Sequence, residues 1–359
     1  MRILQLIDSL DAGGAEKMAV NYANALAATI EFSALAVSRR EGPLLGEINE
    51  NVGYLFLKKK KVVDFSAISI LKKYIKDHEI QIIHAHGTSF FLAFLIKLCF
   101  PSIKLIWHDH YGDSEFLNKR PLFLLKRLMP FFFGIIVVNQ QLKVWAEESL
   151  RFKNVIWLPN FAVLDDNAMQ ITKLHGNEGK RIVCLANLRT QKDHFLLLEV
   201  AAKLKGTHSG WTFHLVGKDF EDAYSKAIKT TINDLGLQQH VFMYGTRTDV
   251  KNILSQSEIG ILTSKSEGLP VALLEYGLCK KAIVVTAVGE IQKIIIPNDN
   301  GISVTPGRSD LFYEALVGLI DNQNARILMA EKLHTTILEG FSINAVLNRY
   351  ISWINFIND

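Results

Sequence analysis

The chain has 359 residues, of which 49% are hydrophobic and 21% are charged, and this composition is that of a globular protein. Disordered, coiled-coil and small disulfide-stapled classes are excluded, and at roughly 100–200 residues per domain the length predicts two domains. The three cysteines are widely spaced and odd in number, so they cannot form a disulfide framework and indicate a reducing compartment.

The net charge of +4 is distributed unevenly along the chain. Residues 1–163 contain 20 Lys and Arg against 15 Asp and Glu, a balance of +5, whereas residues 164–359 contain 20 against 21, a balance of −1. Because no nucleic-acid recognition motif accompanies the basic excess, we expect no nucleic-acid partner. An anionic membrane surface or an anionic substrate fits the charge as well.

The N-terminus, MRILQLIDSL, lacks the apolar region and cleavage site of a signal peptide and predicts a first strand. The most apolar stretches, residues 90–100 and 131–138, fall short of the roughly 20 residues that span a bilayer. We therefore expect a cytoplasmic protein that is not integral to a membrane.

Short runs rich in Val, Ile and Leu alternate with stretches of helical spacing along the whole chain. The predicted strands of the first half are residues 3–8, 32–38, 54–57, 80–86, 104–110, 134–139 and 155–160. The predicted strands of the second half are residues 181–187, 212–217, 241–245, 259–264, 282–289 and 301–307. The pattern predicts two doubly wound α/β domains with parallel sheets, joined near residues 161–180 and facing a central cleft.

Gly13 and Gly14 follow the first strand and precede a helix predicted over residues 15–27. Glycines let a loop approach a ligand closely and leave the amides of a helix N-terminus open to phosphate or a sugar hydroxyl. An ordinary turn explains the pair equally well.

Two segments of the first half suggest a surface partner. LKKKK at residues 57–61 is a compact basic run, for which simple solvation is the alternative. Residues 116–134 interleave basic side chains, Lys119 among them, with aromatic ones such as Phe116, which fits a helix lying in a membrane interface. A helix whose aromatic residues face the core explains the second segment as well.

Four histidines cluster near the ends of two predicted strands: His84, His86, His108 and His110. They invite a metal site, but no carboxylate or cysteine ligand set accompanies them at helical spacing. We therefore expect no metal and no cofactor.

ANLRTQKDH (186–194) follows the first strand of the second half. Arg189 and Lys192 lie three residues apart at a strand's carboxyl end, where two cations could bind an anionic ligand. Solvated surface charge is the alternative.

SKSEGLPVALLEYGLCK (264–280) is the most informative segment, because Pro270 after Gly268 and Leu269 suits the first turn of a helix that could bind an anion. Glu275 has only apolar or small neighbours three and four residues away, so it faces a buried side of that helix and needs a partner. A protein donor or a ligand hydroxyl pair, such as a ribose diol, could supply it. Glu267 in the preceding loop could bind a ligand or be solvated.

Glu267, the Gly268-Leu269-Pro270 turn and Glu275 together resemble the donor-site signature of the retaining glycosyltransferases of family 4, whose two Rossmann-like domains form the GT-B fold. GGAEK at residues 13–17 resembles the first loop of that family. The resemblance extends from Gly13 to the C-terminal helix.

The resemblance implies that Glu275 binds the ribose of a nucleotide sugar and that Glu267 and residues 268–270 lie against the sugar and diphosphate. Lys192 matches the family's cation. It also implies that His110 lies near the donor sugar and acceptor hydroxyl.

The chain departs from the family pattern at two places. Asn187 occupies the usual arginine position, with Arg189 two residues later. Glu290 and Lys293 replace the second glycine and the glutamate of the usual Gly-Gly-x-x-Glu loop, which puts donor choice in doubt.

By this resemblance the chain is expected to be a metal-independent retaining glycosyltransferase that moves a sugar from a nucleotide diphosphate to a hydroxyl of a glycan or lipid-linked acceptor in cell-surface polysaccharide synthesis. Residues 1–165 would form the acceptor domain, joined by a returning helix at 341–359, and residues 166–340 the donor domain. A resting place on the inner face of the plasma membrane would suit a lipid-linked acceptor. A sugar-nucleotide epimerase or hydrolase and a non-catalytic binding subunit are the alternatives.

Overall fold

The computed structural model describes residues 1–111, 117, 120–164 and 169–356. The predicted domain boundary at residues 165 and 166 lies outside these ranges, as do Phe116 and Lys119 of the basic, aromatic segment. The chain folds into two compact units, the first comprising Met1–Phe161 with Val346–Asp359 and the second Ala162–Ala345.

The first unit contains seven strands and five helices before residue 161, in alternation along the described chain. Its strands are β1 (Arg2–Ser9), β2 (Phe32–Arg40), β3 (Gly53–Phe56), β4 (Ile82–His86), β5 (Lys104–Asp109), β6 (Gly134–Val137) and β7 (Val155–Trp157). Its helices are α1 (Gly14–Ala27), α2 (Phe65–Asp77), α3 (Phe90–Cys99), α4 (Phe123–Leu128) and α5 (Gln140–Glu148).

The second unit repeats the alternation of strand and helix. Its strands are β8 (Arg181–Leu185), β9 (Thr212–Val216), β10 (Val241–Gly245), β11 (Ile259–Leu262), β12 (Ala282–Thr286) and β13 (Ile302–Val304). Its helices are α6 (His194–Thr207), α7 (Ala223–Asp234), α8 (Val250–Ser255), α9 (Val271–Leu278), α10 (Ile291–Ile294), α11 (Ser309–Asp321) and α12 (Gln323–Phe341), and α13 (Ile343–Phe356) follows.

Each unit is built on one sheet whose strand pairs are all parallel. The first sheet has the order β3-β2-β1-β4-β5-β6-β7 and the second the order β10-β9-β8-β11-β12-β13. All thirteen predicted strands are present, and the predicted fold class of two doubly wound α/β domains is confirmed. The strand order reverses between β1 and β4 and between β8 and β11, and ligands of such sheets bind beyond the carboxyl ends of the strands at these switch points.

Helices cover both faces of the first sheet, which explains why its strands are continuous apolar runs rather than alternating ones. Leu4 and Leu6 of β1 belong to a buried cluster with residues of α2 and α3, whereas Ile7 belongs to a second cluster with residues of α1. Asp64 caps α2 by accepting a hydrogen bond from the amide of Ala67. Among the described residues, no helix combines the length and apolar character needed to cross a membrane.

The last helix packs on the first unit. In α13 the Trp353 indole donates to Asn154 Oδ1 at 3.0 Å, and the Arg349 guanidinium donates to the Trp157 carbonyl at 2.9 Å. Gly134 is required beneath this helix, because a Cβ there would lie 2.4 Å from the Trp353 ring. The segment from Val346 thus completes a unit whose other residues all precede position 162.

Candidate active site

A buried ion pair lies at the switch point of the second sheet. The Lys192 ammonium donates to Oε1 of Glu267 at 2.5 Å, and the Ser264 hydroxyl donates to the same oxygen at 2.6 Å. Lys192 follows β8 and Glu267 follows β11, the two strands at which the order reverses. The side chains of Lys192 and Glu267 are only 19% and 8% exposed, so Glu267 is not the solvated surface carboxylate that the sequence left open.

Backbone contacts hold the two loops of this pair together. The Thr263 hydroxyl donates to the carbonyl of Lys192 at 2.9 Å, and the amide of Lys265 donates to the carbonyl of Gln191 at 2.8 Å. From the next strand, the Thr286 hydroxyl donates to the carbonyl of Ser264 at 2.6 Å. The cation and the carboxylate are therefore fixed by neighbouring strands rather than by their own flexible stems.

A third loop touches the back of Glu267. Gly289 has a φ of +53°, and a Cβ at this position would lie 1.8 Å from the carbonyl oxygen of Glu267. Only glycine satisfies both the left-handed backbone and the close approach. This is the first glycine of the loop in which Glu290 and Lys293 depart from the family pattern.

Glu290 and Lys293 interact with each other. The carboxylate of Glu290, in a residue only 6% exposed, lies 2.7 Å from the Lys293 ammonium. Lys293 thus occupies the family's glutamate position, and its charge is balanced by Glu290 three residues before it. The charge of this loop therefore differs from that of the family pattern.

Helix α9 begins beside the ion pair. Pro270 is the residue before its first turn, with φ −70° and ψ 127°, one position earlier than predicted, and Leu269 is buried behind it. Gly268 accepts a backbone hydrogen bond from Glu290 at 3.3 Å, and no atom lies within 4 Å of a Cβ built at Gly268. Glu275, in the middle of the helix, is 8% exposed. The first turn of α9 directs its amides toward the loop that carries Glu267.

Arg189 does not join the Lys192–Glu267 pair. Its side chain is exposed, and its guanidinium lies 4.7 Å from the ring centroid of Phe220. Asn187, at the family's arginine position, accepts a hydrogen bond from the Lys218 amide at 2.7 Å. In this structure one of the two predicted cations lies at the carboxylate and the other lies over an aromatic ring.

In the first unit, Gly13 precedes α1 and Gly14 is its first residue. The carboxylate of Glu16 reaches back over Gly13, since a Cβ there would lie 2.2 Å from Oε2, and the Ser9 hydroxyl donates to its Oε1 at 3.3 Å. No atom lies within 4 Å of a Cβ built at Gly14. The Glu16 carboxylate thus occupies the space beside Gly13, whereas the space beside Gly14 holds no other described atom.

His110 is held by a chain of hydrogen bonds that crosses the switch point of the first sheet. His86 Nε2 lies 2.8 Å from Oε1 of Gln5, and His86 Nδ1 lies 2.9 Å from His110 Nε2. Because an amide oxygen only accepts, His86 carries its proton on Nε2, and His110 Nε2 must donate to His86 Nδ1. Neutral His110 therefore presents Nδ1 as an acceptor, which suits a sugar hydroxyl.

The other two histidines are internal. His84 Nε2 lies 3.1 Å from His108 Nδ1, and His84 Nδ1 lies 3.2 Å from the Tyr350 hydroxyl of α13. Burial holds the pKa values of His84, His86 and His108 well below the usual value and lowers the pKa of His110 to about 3. All four are therefore neutral imidazoles at neutral pH.

His84, His86 and His108 lie close enough for their nitrogens to share a metal ion. However, the rings of His84 and His108 are nearly parallel, with an interplanar angle of 13°, and four of the six ring nitrogens in this trio face each other, Tyr350 or His110. A fifth, His86 Nε2, faces Gln5. Hydrogen bonding is what these nitrogens do in the structure, and the expectation of no metal stays a prediction.

Two residues of these networks were not singled out from the sequence. Ser264 stands three residues before Glu267, a Ser-x-x-Glu spacing that could have indicated their contact. Gln5 is a polar residue inside the apolar run of β1 and is fully buried. A buried polar residue needs a partner, and this was the available signal for its hydrogen bond to His86.

Comparison with known families covers almost all of the chain. Residues 166–334 match the sequence model of the family described as glycosyl transferases group 1, and residues 12–165 match that of glycosyltransferase family 4. The ranges meet at residues 165 and 166, a few residues after the start of the second unit at Ala162.

Two named glycosyltransferases are similar over most of the chain. A poly(ribitol-phosphate) alpha-N-acetylglucosaminyltransferase of Staphylococcus aureus is 22% identical over 87% of this chain and 63% of its own length, so this chain spans less than two thirds of that relative. A UDP-Gal:alpha-D-GlcNAc-diphosphoundecaprenol alpha-1,3-galactosyltransferase of Escherichia coli is 21% identical over 87% of this chain and 86% of its own length.

The fold is that of a solved structure of Anabaena Alr3699/HepE in complex with UDP and glucose. The TM-score is 0.81, with 17% identity over 99% of both chains. At this identity the similarity establishes the GT-B fold alone.

Proposed function

The chain belongs to the group 1 glycosyltransferases of the GT-B fold, and from this premise we propose that it is a retaining enzyme that uses a nucleotide-diphosphate sugar. The proposed acceptor is a hydroxyl of a glycan or of a lipid-linked glycan in cell-surface polysaccharide synthesis. The names of the similar proteins from S. aureus and E. coli, which include UDP-galactose and an undecaprenyl diphosphate, support this choice of substrates.

The observation that carries the proposal is the Lys192–Glu267 ion pair in front of α9. As the bond between the sugar and the diphosphate breaks, the leaving diphosphate takes the bonding electrons and gains negative charge. Lys192 and the amides of the first turn of α9 would stabilise that charge, and Glu267 would lie against the sugar. Arg189 would add a second cation after its side chain leaves the ring of Phe220.

We propose that Glu275 binds the ribose hydroxyls and that His110 Nδ1 accepts a hydrogen bond from a sugar hydroxyl. Gly13 and Gly14 would let the loop after β1 approach the donor. The acceptor oxygen then bonds to the anomeric carbon on the face that the diphosphate leaves, and its proton passes to the diphosphate. No enzyme nucleophile is assigned, and no divalent metal is required in this scheme because cationic side chains balance the diphosphate.

We also propose that the enzyme works at the inner face of the plasma membrane. Helix α4 buries Leu125 and Leu128 but leaves Phe123 70% and Leu124 45% exposed, with the Arg127 guanidinium 4.4 Å from the Phe123 ring centroid. An aromatic residue beside a cation suits the boundary between headgroups and acyl chains. The burial of Leu125 and Leu128 favours a core-facing helix for part of this segment, and the exposure of Phe123 and Leu124 supports the proposed membrane contact.

A thermal-shift screen against nucleotides tests the donor half of the proposal. A nucleoside diphosphate at 100 times its dissociation constant should stabilise the protein by about 2.7 kcal/mol. The same shift is expected with EDTA present, since the proposed scheme requires no metal. No shift with uridine, guanosine, thymidine or adenosine diphosphate would contradict the proposal.

Product analysis separates transfer from the alternatives. An epimerase or hydrolase consumes the nucleotide sugar without an acceptor, and a binding subunit shifts in melting temperature without turnover. A transferase releases the nucleoside diphosphate in proportion to the acceptor that is glycosylated, with the configuration at the anomeric carbon retained.

A further inference from the structure

The basic run at residues 57–61 contains one lysine that is not solvated. Lys58, Lys60 and Lys61 are exposed, whereas Lys59 is only 7% exposed. Its backbone amide donates to the Ser38 carbonyl at 2.7 Å, which directs the segment along the end of β2. The run therefore does not act as a single solvated patch.

Lys59 lines a cavity of about 500 Å³ at the carboxyl ends of β1, β2 and β4. Within the described part of the chain, its ammonium forms no ion pair or hydrogen bond. Burial is the main cause that lowers the pKa of Lys59, and the nearby Arg39 lowers it further, against the opposing effects of Asp8 and Asp64. The Lys59 side chain is largely buried and lines this cavity, so an anion bound there would supply the counter-charge that its ammonium lacks among the described residues.

The same cavity contains a second cation and one carboxylate. Arg39 Nε lies 3.7 Å from Oδ1 of Asp8, and the Ser38 and Thr88 hydroxyls donate to the two oxygens of Asp8 at 2.5 and 2.6 Å. Asp8 is thus already supplied with donors inside the protein. Among the described lining residues, two cations stand against one carboxylate, a balance of +1 that favours an anion. The nearby Asp64 lies outside this lining and accepts hydrogen bonds from the amides of Lys60 and Ala67.

Apart from Thr88 and Ser89, the rest of the lining is apolar. Phe90, Phe91 and Leu92 of α3 form part of the wall, and Val62 and Leu124 complete it. Val62 is 65% exposed and Leu124 is 45% exposed, so the apolar surface continues from the cavity onto the outside of the protein. A ligand that fits has an anionic head for Lys59 and Arg39 and a hydrocarbon chain for Val62 and Leu124.

We propose that this cavity binds the diphosphate of a polyprenyl-type lipid acceptor, with the diphosphate at Lys59 and Arg39 and the chain leaving past Val62 and Leu124. This inference rests on the proposed glycosyltransferase function and specifies the acceptor class. It also explains why two segments distant in sequence, residues 57–63 and α4, share one apolar surface.

The test measures equilibrium binding of farnesyl diphosphate to the full chain by calorimetry. Three comparison ligands are used: inorganic diphosphate, farnesol, and phosphatidylglycerol vesicles. We expect farnesyl diphosphate to bind at least tenfold more tightly than inorganic diphosphate or farnesol, and vesicles not to displace it. Equal binding of inorganic diphosphate would overturn the lipid assignment. Displacement of farnesyl diphosphate by phosphatidylglycerol vesicles would overturn the proposal and indicate that the cavity binds a membrane headgroup.

Variants locate the ligand. Lys59→Met should weaken farnesyl diphosphate at least tenfold, whereas the exposed neighbour Lys60→Met should change it less than twofold. Leu124→Gln should weaken farnesyl diphosphate but not inorganic diphosphate. Asp8→Asn should strengthen both, since it removes the only carboxylate among the cavity's lining residues.

Stability and nucleotide binding complete the test. Because Lys59 has no direct partner among the described residues, Lys59→Met should keep or raise the melting temperature, and UDP binding should be unchanged. A variant that melts lower yet still binds farnesyl diphosphate like wild type would show that Lys59 is structural. If the wild type does not bind UDP, that result contradicts the donor proposal, whereas farnesyl diphosphate binding by the wild type and Lys59→Met still decides the proposal for the cavity.

Discussion

Lys192 and Glu267 form an ion pair of 2.5 Å between the loops that follow β8 and β11, the two central strands at which the second sheet reverses its order. In the proposed reaction the same ammonium must serve the diphosphate. Glu267 therefore holds the Lys192 ammonium in place before the donor binds. The donor diphosphate would be the second anion to contact this ammonium.

Removing the cation alone should be more harmful to stability than removing the whole pair. In Lys192→Met the largely buried Glu267 keeps the Ser264 hydroxyl but loses its counter-charge, and we expect a loss toward the lower end of about 3–5 kcal/mol in the free energy of unfolding. Lys192→Met with Glu267→Gln should recover most of that loss. Urea unfolding of the single and double variants, with exposed Lys203→Met as the control, measures the difference. A double variant no more stable than Lys192→Met would contradict this account of the pair.

Glu275→Ala tests the ribose contact. A hydrogen bond to a charged group contributes about 1.5–3 kcal/mol, so UDP should bind roughly 10- to 150-fold more weakly. Calorimetry with UDP gives the value, and Glu199→Ala on the exposed face of α6 provides the control. If the variant melts lower but binds UDP like wild type, Glu275 has only a structural role.

Gly289→Ala should disturb the loop behind Glu267. A methyl group at this position meets the carbonyl oxygen of Glu267, and the left-handed backbone adds strain of about 1–3 kcal/mol. We expect a lower melting temperature together with weaker donor binding. Gly206→Ala, in open space within α6, should instead leave the protein as stable or more stable by about 0.5–1 kcal/mol. Equal effects of the two substitutions would show that the contact with Glu267 is unimportant.

Acid should destabilise the first unit through its four histidines. Their folded-state pKa values are depressed, whereas an unfolded histidine titrates near 6.5, so protons bind the unfolded chain first. The stabilisation is complete above about pH 6.5 and is lost as pH falls toward the folded-state values, by up to about 1.4 kcal/mol per pH unit for each histidine.

Urea unfolding at several pH values between 7.5 and 5 measures this slope. His108→Phe removes one titrating group from the buried cluster and should make the slope shallower by about one proton. A slope that does not change in His108→Phe would mean that His108 is protonated in the folded protein.

The hydrogen-bond chain from Gln5 to His110 predicts a specific tautomer. Long-range proton–nitrogen NMR should show His110 protonated on Nε2 and free of a proton on Nδ1. Gln5→Leu removes the acceptor that fixes His86 and should give mixed tautomers at His110, whereas Gln5→Glu keeps the acceptor and the tautomer. His110 protonated on Nδ1 in the wild type would refute the chain.

The fold was predictable because strands buried on both faces are marked by continuous apolar runs. The ends of the strands and helices were less predictable, since an apolar run does not show where strand pairing stops. The run predicted as a strand over residues 134–139 pairs only to Val137, and Asn139 caps α5 by accepting from the Leu142 amide at 2.8 Å. Pro270 likewise stands just before α9 rather than in its first turn.

The candidate site was predictable as a set of loops but not as a set of contacts. Strand ends indicate which loops meet, and so Lys192 and Glu267 could be named, but their direct pairing depends on backbone detail such as the left-handed Asp193 beside Lys192. Arg189 does not join this pair, because its guanidinium lies over the ring of Phe220, a residue 31 positions later in the chain. Lys59 shows the same limit, because the left-handed backbone at Lys58 and the hydrogen bond of the Lys59 amide to Ser38 accompany the burial of one lysine in a run whose composition indicates a solvated patch.

The packing of α13 on the first unit fixes an order of events during synthesis. Residues 1–161 leave the ribosome first, yet Tyr350, which contacts the His84 ring, and Trp353, which fills the space over Gly134, follow only after the whole second unit. Until α13 has been synthesised, residues 1–161 lack the contact of His84 with Tyr350 and the packing of Trp353 over Gly134. A chain that ended between the two units would leave the first sheet without the contacts of Tyr350 and Trp353.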